Sequence, residues 1–201
     1  MKHQVIFIHG GDPYDSYEQF ITALKKRKLD FERLKTKGWR QSLPDKLGPK
    51  FEVILPRMPN SLNAKYVEWK IWFEKFIPYM RKEVILGGHS LGGLFLAKYL
   101  SENKFPKKIR GIFLIAPPFK GNGGADPMGD FILPKNMNGL KKYESVVHLY
   151  HSEDDEIVLP KDFENYLEVL PKAHVKIFKD KGHFIGGKSF PELVRDIKKL
   201  V

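Results

Sequence analysis

Three side chains in this sequence have the types and the order needed to activate a serine hydroxyl. The stretch VILGGHSLGGLF, residues 84–95, places Ser90 between two pairs of glycines. A serine hydroxyl is a weak nucleophile unless a base takes its proton and a third group orients that base. The chain supplies an acidic cluster at residues 153–156 and then His183, in the stretch KGHF. These residue types, in this order, indicate acyl-transfer chemistry.

The residues around Ser90 fit the pattern G-x-S-x-G from Gly88 to Gly92. Because an apolar run precedes this pattern and an amphipathic run follows it, the serine is expected on a tight turn between a strand and a helix. Such a turn holds strained backbone angles and closes only when its neighbours lack side chains. The alternative is a purely structural glycine-rich turn. We predict that Ser90 is the nucleophile.

The base and the acid each have rivals in the sequence. Of the seven histidines, His183 is the one in a loop just past a predicted strand, whereas His89 is adjacent to Ser90 on a turn that directs its ring elsewhere. We therefore predict His183 as the base. Asp155, three residues before a valine that begins the next helical region, is the favoured acid, and Asp154 is the alternative. The order serine, acid, histidine is that of the α/β hydrolases.

Hydrolysis through an acyl-enzyme also needs N–H donors for an oxyanion. One donor should be the backbone N–H of Leu91, which follows the nucleophile. The stretch FIHGGD, residues 7–12, ends the first predicted strand and resembles an oxyanion loop that begins with His-Gly. We predict the N–H of Gly11 as the second donor, or that of Asp12 if the turn is shifted by one residue.

The elements that must position these groups are visible as alternating apolar and amphipathic runs. Continuously apolar runs, typical of a parallel sheet that is covered on both faces, predict six strands at residues 4–8, 51–55, 83–87, 111–116, 146–150 and 174–178. Apolar residues at helical spacing predict helices at residues 63–80, 91–103, 160–170 and 190–201. The alternation predicts a single α/β domain over residues 1–201, a three-layer α/β/α sandwich with a mostly parallel six-stranded sheet.

Two longer segments are candidates for covering the site. Residues 12–38 carry several aromatic and aliphatic side chains that would form either a small cap over the active-site edge or a longer surface helix. Residues 117–139 follow the fourth predicted strand and are rich in glycine. Because this second segment is too short for a full lid domain, we expect a fairly open site.

Composition excludes several other function classes. The net charge of +11 is spread along the chain without a nucleic-acid-binding motif, so we expect no specific nucleic-acid partner. No apolar run approaches the length of a membrane span, and there is no cysteine, which fits a cytoplasmic protein. Without a P-loop, a G-x-G-x-x-G fingerprint or metal-ligand spacing, we expect neither a cofactor nor a metal.

Taken together, the HGG stretch, LPRMPN at residues 55–60 with Trp69 after it, GGHSLGG, HSEDDEIV and GHF resemble the α/β hydrolases. Within that fold the chain resembles the small serine hydrolases related to retinoblastoma-binding protein 9. This resemblance implies a compact sheet without the first antiparallel strands of larger hydrolases, and hydrolase activity on poorly defined substrates. We predict a carboxylesterase for small or medium acyl esters. Amidase, thioesterase and peptidase activities remain alternatives, as does a catalytically idle binding module that uses its basic surface or the aromatic stretch at residues 66–76.

Overall fold

A computed structural model describes residues 2–119 and 128–201 of the chain. A parallel sheet forms its middle layer, with the strand order β2-β1-β3-β4-β5-β6. The strands are β1 (His3–Ile8), β2 (Phe51–Ile54), β3 (Glu83–His89), β4 (Lys108–Ile115), β5 (Val147–Ser152) and β6 (His174–Phe178). The predicted six-stranded sheet is therefore confirmed. β4 begins three residues earlier than predicted because its polar start pairs with β3, where Lys108 and Arg110 both contact the carboxylate of Glu83.

Helices cover both faces of the sheet, as the three-layer prediction requires. They are α1 (Tyr17–Lys26), α2 (Phe31–Leu34), α3 (Trp39–Leu47), α4 (Tyr66–Phe76), α5 (Leu91–Glu102), α6 (Asn138–Lys141), α7 (Pro160–Val169) and α8 (Pro191–Lys198). Short 3₁₀ helices span Ile77–Tyr79 and Glu144–Val146. One apolar core lies between the sheet and α4, α5 and α7, and a second lies between the sheet and α3 and α8.

The sheet order creates a switch point between β1 and β3. From β1 the chain first moves outward to β2 and then returns to place β3 on the other side of β1. At this junction the ends of the two strands are neighbours, with Ile8 paired to Gly88. Ligands of open parallel sheets bind at such a point, outside the carboxyl ends of the strands. The predicted oxyanion loop and the predicted nucleophile turn both lie there.

Residues 12–38 form two short helices rather than one long surface helix. No side chain of α1 is buried, and Tyr17, Leu24, Phe31 and Leu34 are all exposed. Of the second candidate segment, residues 120–127 lie outside the described residues. Over the ranges that the structure describes, no helix is long and apolar enough to cross a membrane.

Candidate active site

Ser90 lies on the turn between β3 and α5, where the sequence pattern places it. Its backbone angles are φ 53° and ψ −124°, a combination that side-chain-bearing residues rarely adopt. A Cβ atom on Gly88 would lie 2.3 Å from the carbonyl oxygen of Gly92, so the turn closes only with glycine at position 88. The N–H of Ser90 donates to the carbonyl of Ile115 at 2.8 Å, which fixes the turn to β4. The serine therefore occupies a strained and firmly held position at the sheet edge.

His183 and Asp155 meet directly, although they come from different loops. The Nδ1 atom of His183 lies 2.9 Å from Oδ2 of Asp155, and both side chains are almost fully buried. The other carboxylate oxygen of Asp155 accepts the backbone N–H groups of Ile157 and Val158, each at 2.9 Å. Burial alone would raise the pKa of Asp155, but the hydrogen bonds from His183 and these amides outweigh it, so the pKa lies below its ordinary value. The acid facing the imidazole is thus an ionised carboxylate at neutral pH.

Asp154, the alternative acid, has different partners. It is exposed, and its Oδ1 accepts the hydroxyl of Ser152 at 2.6 Å and the N–H of Gly182 at 2.8 Å. These contacts join the end of β5 to the loop that carries His183. The structure therefore brings Asp155, and not Asp154, to the imidazole ring.

The loop after β1 faces the serine. A Cβ atom on Gly10 would lie 3.2 Å from the Cβ of Ser90, and one on Gly11 would lie 3.3 Å from a side-chain carbon of Leu91. The N–H of Asp12 already donates to the carbonyl of Ser61 at 2.9 Å, which argues against Asp12 as an oxyanion donor. Leu91 opens α5, and first-turn N–H groups of a helix have no partner within the helix. Gly11 and Leu91 are thus neighbours in the cleft that Ser90 also lines.

His9 holds this loop in place through both ring nitrogens. Its Nε2 accepts the N–H of Met58 at 2.9 Å, so the proton lies on Nδ1, which donates to the carbonyl of Gly10. Burial lowers the pKa of His9 and keeps the ring neutral, as this pair of contacts requires. The sequence marked His9 as part of the loop but did not show that it links the loop to the segment after β2.

Two further residues that the sequence analysis did not assign to the site hold the loop of His183. Nε2 of His89 donates to the backbone carbonyl of His183 at 2.7 Å, and Nε1 of Trp39 donates to that of Phe184 at the same distance. Burial, followed by the nearby imidazole of His183, lowers the pKa of His89 to about 3, so its ring is neutral. The prediction that His89 does not act as the base stays untested, but its ring turns toward the loop of the candidate base.

Ser90, His183, Gly11 and Leu91 line one open cleft of about 1760 Å³. Part of its wall comes from the segment between α1 and α3. Its rim carries exposed aliphatic side chains, namely Leu29, Leu34, Leu62, Ile157 and Leu159. Among residues 2–119 and 128–201, no group of three side chains is arranged to hold a metal ion. The cleft therefore brings together a serine hydroxyl, an imidazole with an ionised carboxylate partner, and apolar side chains.

Comparisons with known proteins place this geometry in context. Residues 31–195 match the family model described as serine hydrolase. No curated protein matches the sequence significantly.

Solved structures resemble the chain over nearly its whole length. The ydeN gene product of B. subtilis has a TM-score of 0.70 at 19% identity, with 99% of this chain and 98% of that chain covered. A monoacylglycerol lipase of Paleococcus ferrophilus has a TM-score of 0.57 at 17% identity, with 98% of this chain and 93% of that chain covered. A carboxylesterase structure from Nitrososphaera gargenis has a TM-score of 0.57 at 13% identity, with 100% of this chain and 87% of that chain covered. At these identities the likeness shows a common fold, that of the α/β hydrolases.

Proposed function

Because the chain belongs to the serine hydrolase family and is a hydrolase of α/β-hydrolase fold, we propose that it is a carboxylesterase acting on small or medium acyl esters. The observation that carries the proposal is the contact between His183 and the buried carboxylate of Asp155, at 2.9 Å, in the same cleft edge as Ser90. A histidine with an ionised partner on Nδ1 keeps Nε2 free to accept a proton. A binding module would have no need of this arrangement.

In the proposed mechanism, Ser90 attacks the ester carbonyl while His183 takes the hydroxyl proton. The carboxylate of Asp155 holds the proton on Nδ1 and stabilises the imidazolium that forms. The N–H groups of Gly11 and Leu91 stabilise the negative charge on the carbonyl oxygen of the tetrahedral intermediate. His183 then returns the proton to the leaving alcohol, and an acyl-enzyme on Ser90 results. Water, activated by the same imidazole, releases the carboxylic acid.

The walls of the cleft support an acyl substrate of modest size. Exposed aliphatic side chains around the opening, such as Leu29 and Leu159, offer apolar surface to a chain that extends from the carbonyl. The segment at residues 12–38 contributes part of this wall, and we propose that it acts as a small cap. The named activities of two fold neighbours, a carboxylesterase and a monoacylglycerol lipase, are in keeping with ester cleavage.

A fluorophosphonate probe tests the proposal directly. The purified protein is incubated with the probe beside Ser90→Ala and His183→Ala variants, and the labelled peptide is identified by mass spectrometry. We expect labelling at Ser90 that disappears in both variants, together with hydrolysis of 4-nitrophenyl esters that falls by orders of magnitude in each. A folded protein that reacts with neither the probe nor the esters would favour a binding module instead.

A further inference from the structure

Arg40 places a positive charge in the cleft, and no carboxylate of residues 2–119 and 128–201 forms an ion pair with it. It is the second residue of α3 and lines the cleft together with Ser90 and His183. Its Nη1 atom is buried and donates no hydrogen bond within the described part of the chain. Burial lowers the pKa of the guanidinium, with no acid nearby to raise it. The guanidinium of this half-buried side chain is therefore partly desolvated, and the donors on Nη1 are unused.

The acids closest to the catalytic groups are already occupied. Asp12, on the oxyanion loop, pairs with Arg27 at 2.6 Å, and Asp155 pairs with His183. Over the described residues, no carboxylate is within ion-pair distance of Arg40. The described part of the chain therefore leaves this cation without a compensating acid, although removing a charge from water is unfavourable.

Arg40 also lies close to the reacting groups. Its neighbour Trp39 donates its backbone N–H to Gly187 and its ring N–H to Phe184, so the start of α3 is tied to the loop of His183. Burial is the main cause of the lowered pKa values of His9 and His89, and the charge of Arg40 makes a smaller contribution to both. A ligand bound at Ser90 would therefore have Arg40 within its reach.

Resting on the proposed esterase function, we propose that Arg40 binds a carboxylate carried by the ester substrate. The planar guanidinium offers two parallel N–H donors that match the two oxygens of a carboxylate. The other cleft cations without an ion-pair partner in the described chain, such as Lys28 and Lys37, are exposed, whereas Arg40 is half-buried, so one partly desolvated cation lines the cleft. A single positive charge of this kind suits a monoanionic carboxylate better than a dianionic phosphate. The preferred substrates are then monoesters of dicarboxylic acids, or esters whose alcohol bears a carboxylate.

The test compares charged and neutral esters of matched shape. On the acyl side, 4-nitrophenyl hydrogen glutarate is compared with 4-nitrophenyl methyl glutarate. On the alcohol side, 4-acetoxybenzoate is compared with its methyl ester. Values of kcat/KM are measured for the wild type, Arg40→Met, Arg40→Lys and the control Lys37→Met, which removes an exposed cation from the same cleft.

We expect Arg40→Met to lower kcat/KM by about 10- to 100-fold for the charged ester of one pair, mainly through KM, because a charge-assisted hydrogen bond is lost. The neutral ester should change by less than about threefold, and Lys37→Met should leave both nearly unchanged. Arg40→Lys should retain part of the preference for the charged ester, since it keeps the positive charge but not the two parallel N–H donors of the guanidinium. The pair that responds shows whether the carboxylate belongs to the acyl group or to the alcohol.

Equal losses on charged and neutral esters would overturn the proposal and give Arg40 a structural role. An Arg40→Met variant with unchanged charged-ester kinetics would overturn it too.

Binding without turnover separates this inference from the esterase proposal. Monomethyl glutarate and, separately, 4-acetoxybenzoate are titrated into Ser90→Ala, with and without Arg40→Met, and the melting temperature is followed. A rise in melting temperature with either compound that requires Arg40 supports the carboxylate site even if no ester is cleaved, and no rise with either compound overturns it. Loss of fluorophosphonate labelling in the wild type would instead count against the esterase alone.

Discussion

Asp155→Asn replaces one carboxylate oxygen with an NH₂ group at the buried end of the Asp155–His183 pair, with little change in shape. Oδ1 of Asp155 accepts two backbone N–H groups, from Ile157 and Val158, at 2.9 Å each. In the variant the amide oxygen must take that position, because an NH₂ group there would face two donors. The NH₂ group is then left facing Nδ1 of His183, which now lies 2.9 Å from Oδ2.

This orientation forces the wrong tautomer on the imidazole. Nδ1 of His183 also lies 3.1 Å from Oδ1, but that oxygen already accepts two amides, so Nδ1 accepts from the nearer NH₂ group. The ring proton then moves to Nε2, and Nε2 cannot receive the proton of Ser90. Loss of the correct tautomer with intact geometry costs about 10⁴-fold in kcat in a triad of this kind. We therefore expect a fall of about that size for Asp155→Asn, with KM changed only a few-fold.

Asp154→Asn provides the matched control one residue away. Both contacts of Asp154, from Ser152 at 2.6 Å and Gly182 at 2.8 Å, go to a single oxygen, and an amide oxygen can accept both. We expect its kcat to stay within about threefold of the wild type. The assay is 4-nitrophenyl butyrate hydrolysis beside thermal unfolding of each variant. The reasoning fails if the two variants lose activity equally, or if a folded Asp155→Asn retains more than about a tenth of the activity.

Two further predictions concern the fold around the site. Gly88→Ala should lower the free energy of unfolding, measured by urea titration, by about 2–4 kcal/mol, because its Cβ would lie 2.3 Å from the carbonyl oxygen of Gly92. The control Gly186→Ala should leave this free energy unchanged, because a Cβ there would contact nothing within 4 Å. Burial first, then a neighbouring histidine, lowers the pKa of His89 to about 3 and of His148 to about 4, so the unfolded chain takes up their protons before the folded chain does. The contribution of these histidines to the free energy of unfolding should be full above about pH 6.5 and fall by at most about 1.4 kcal/mol per pH unit per histidine below it. A melting temperature unchanged from pH 7 to pH 4.5 would contradict this prediction. His148→Phe should make the melting temperature fall less steeply with decreasing pH.

The sheet and the order of the candidate catalytic residues could be predicted from the sequence because their signals are local. Strands buried on both faces appear as continuous apolar runs, and the G-x-S-x-G turn around Ser90 needs its glycines at fixed offsets. Once β3, β5 and β6 are parallel, the residues just past their carboxyl ends must meet at one edge. The pairing of Asp155 with His183 follows from that topology, although the roles of both remain proposals.

The contacts that hold the site could not be predicted, because they join distant segments through backbone atoms. Trp39 reaches the carbonyl of Phe184 across 145 positions, and His89 reaches that of His183 across 94. A carbonyl acceptor leaves no mark in the sequence, since every residue has one. The lack of an acidic partner for Arg40 among the described residues is equally invisible in the sequence, because it depends on which acids the fold brings near Arg40 and which of them pair elsewhere.

These distant contacts explain how the candidate base His183, in the loop after an edge strand, can be held accurately. β6 is the last strand of the sheet and its residues are exposed or half-buried, so burial of the strand itself contributes little to fixing His183. The loop is held instead by Asp155, by His89 at the end of β3 and by Trp39 at the start of α3. Because Arg40 follows Trp39 on the same helical turn, α3 both positions the base and presents the cation to the cleft. A carboxylate bound by Arg40 would therefore be placed relative to His183 by a single rigid element.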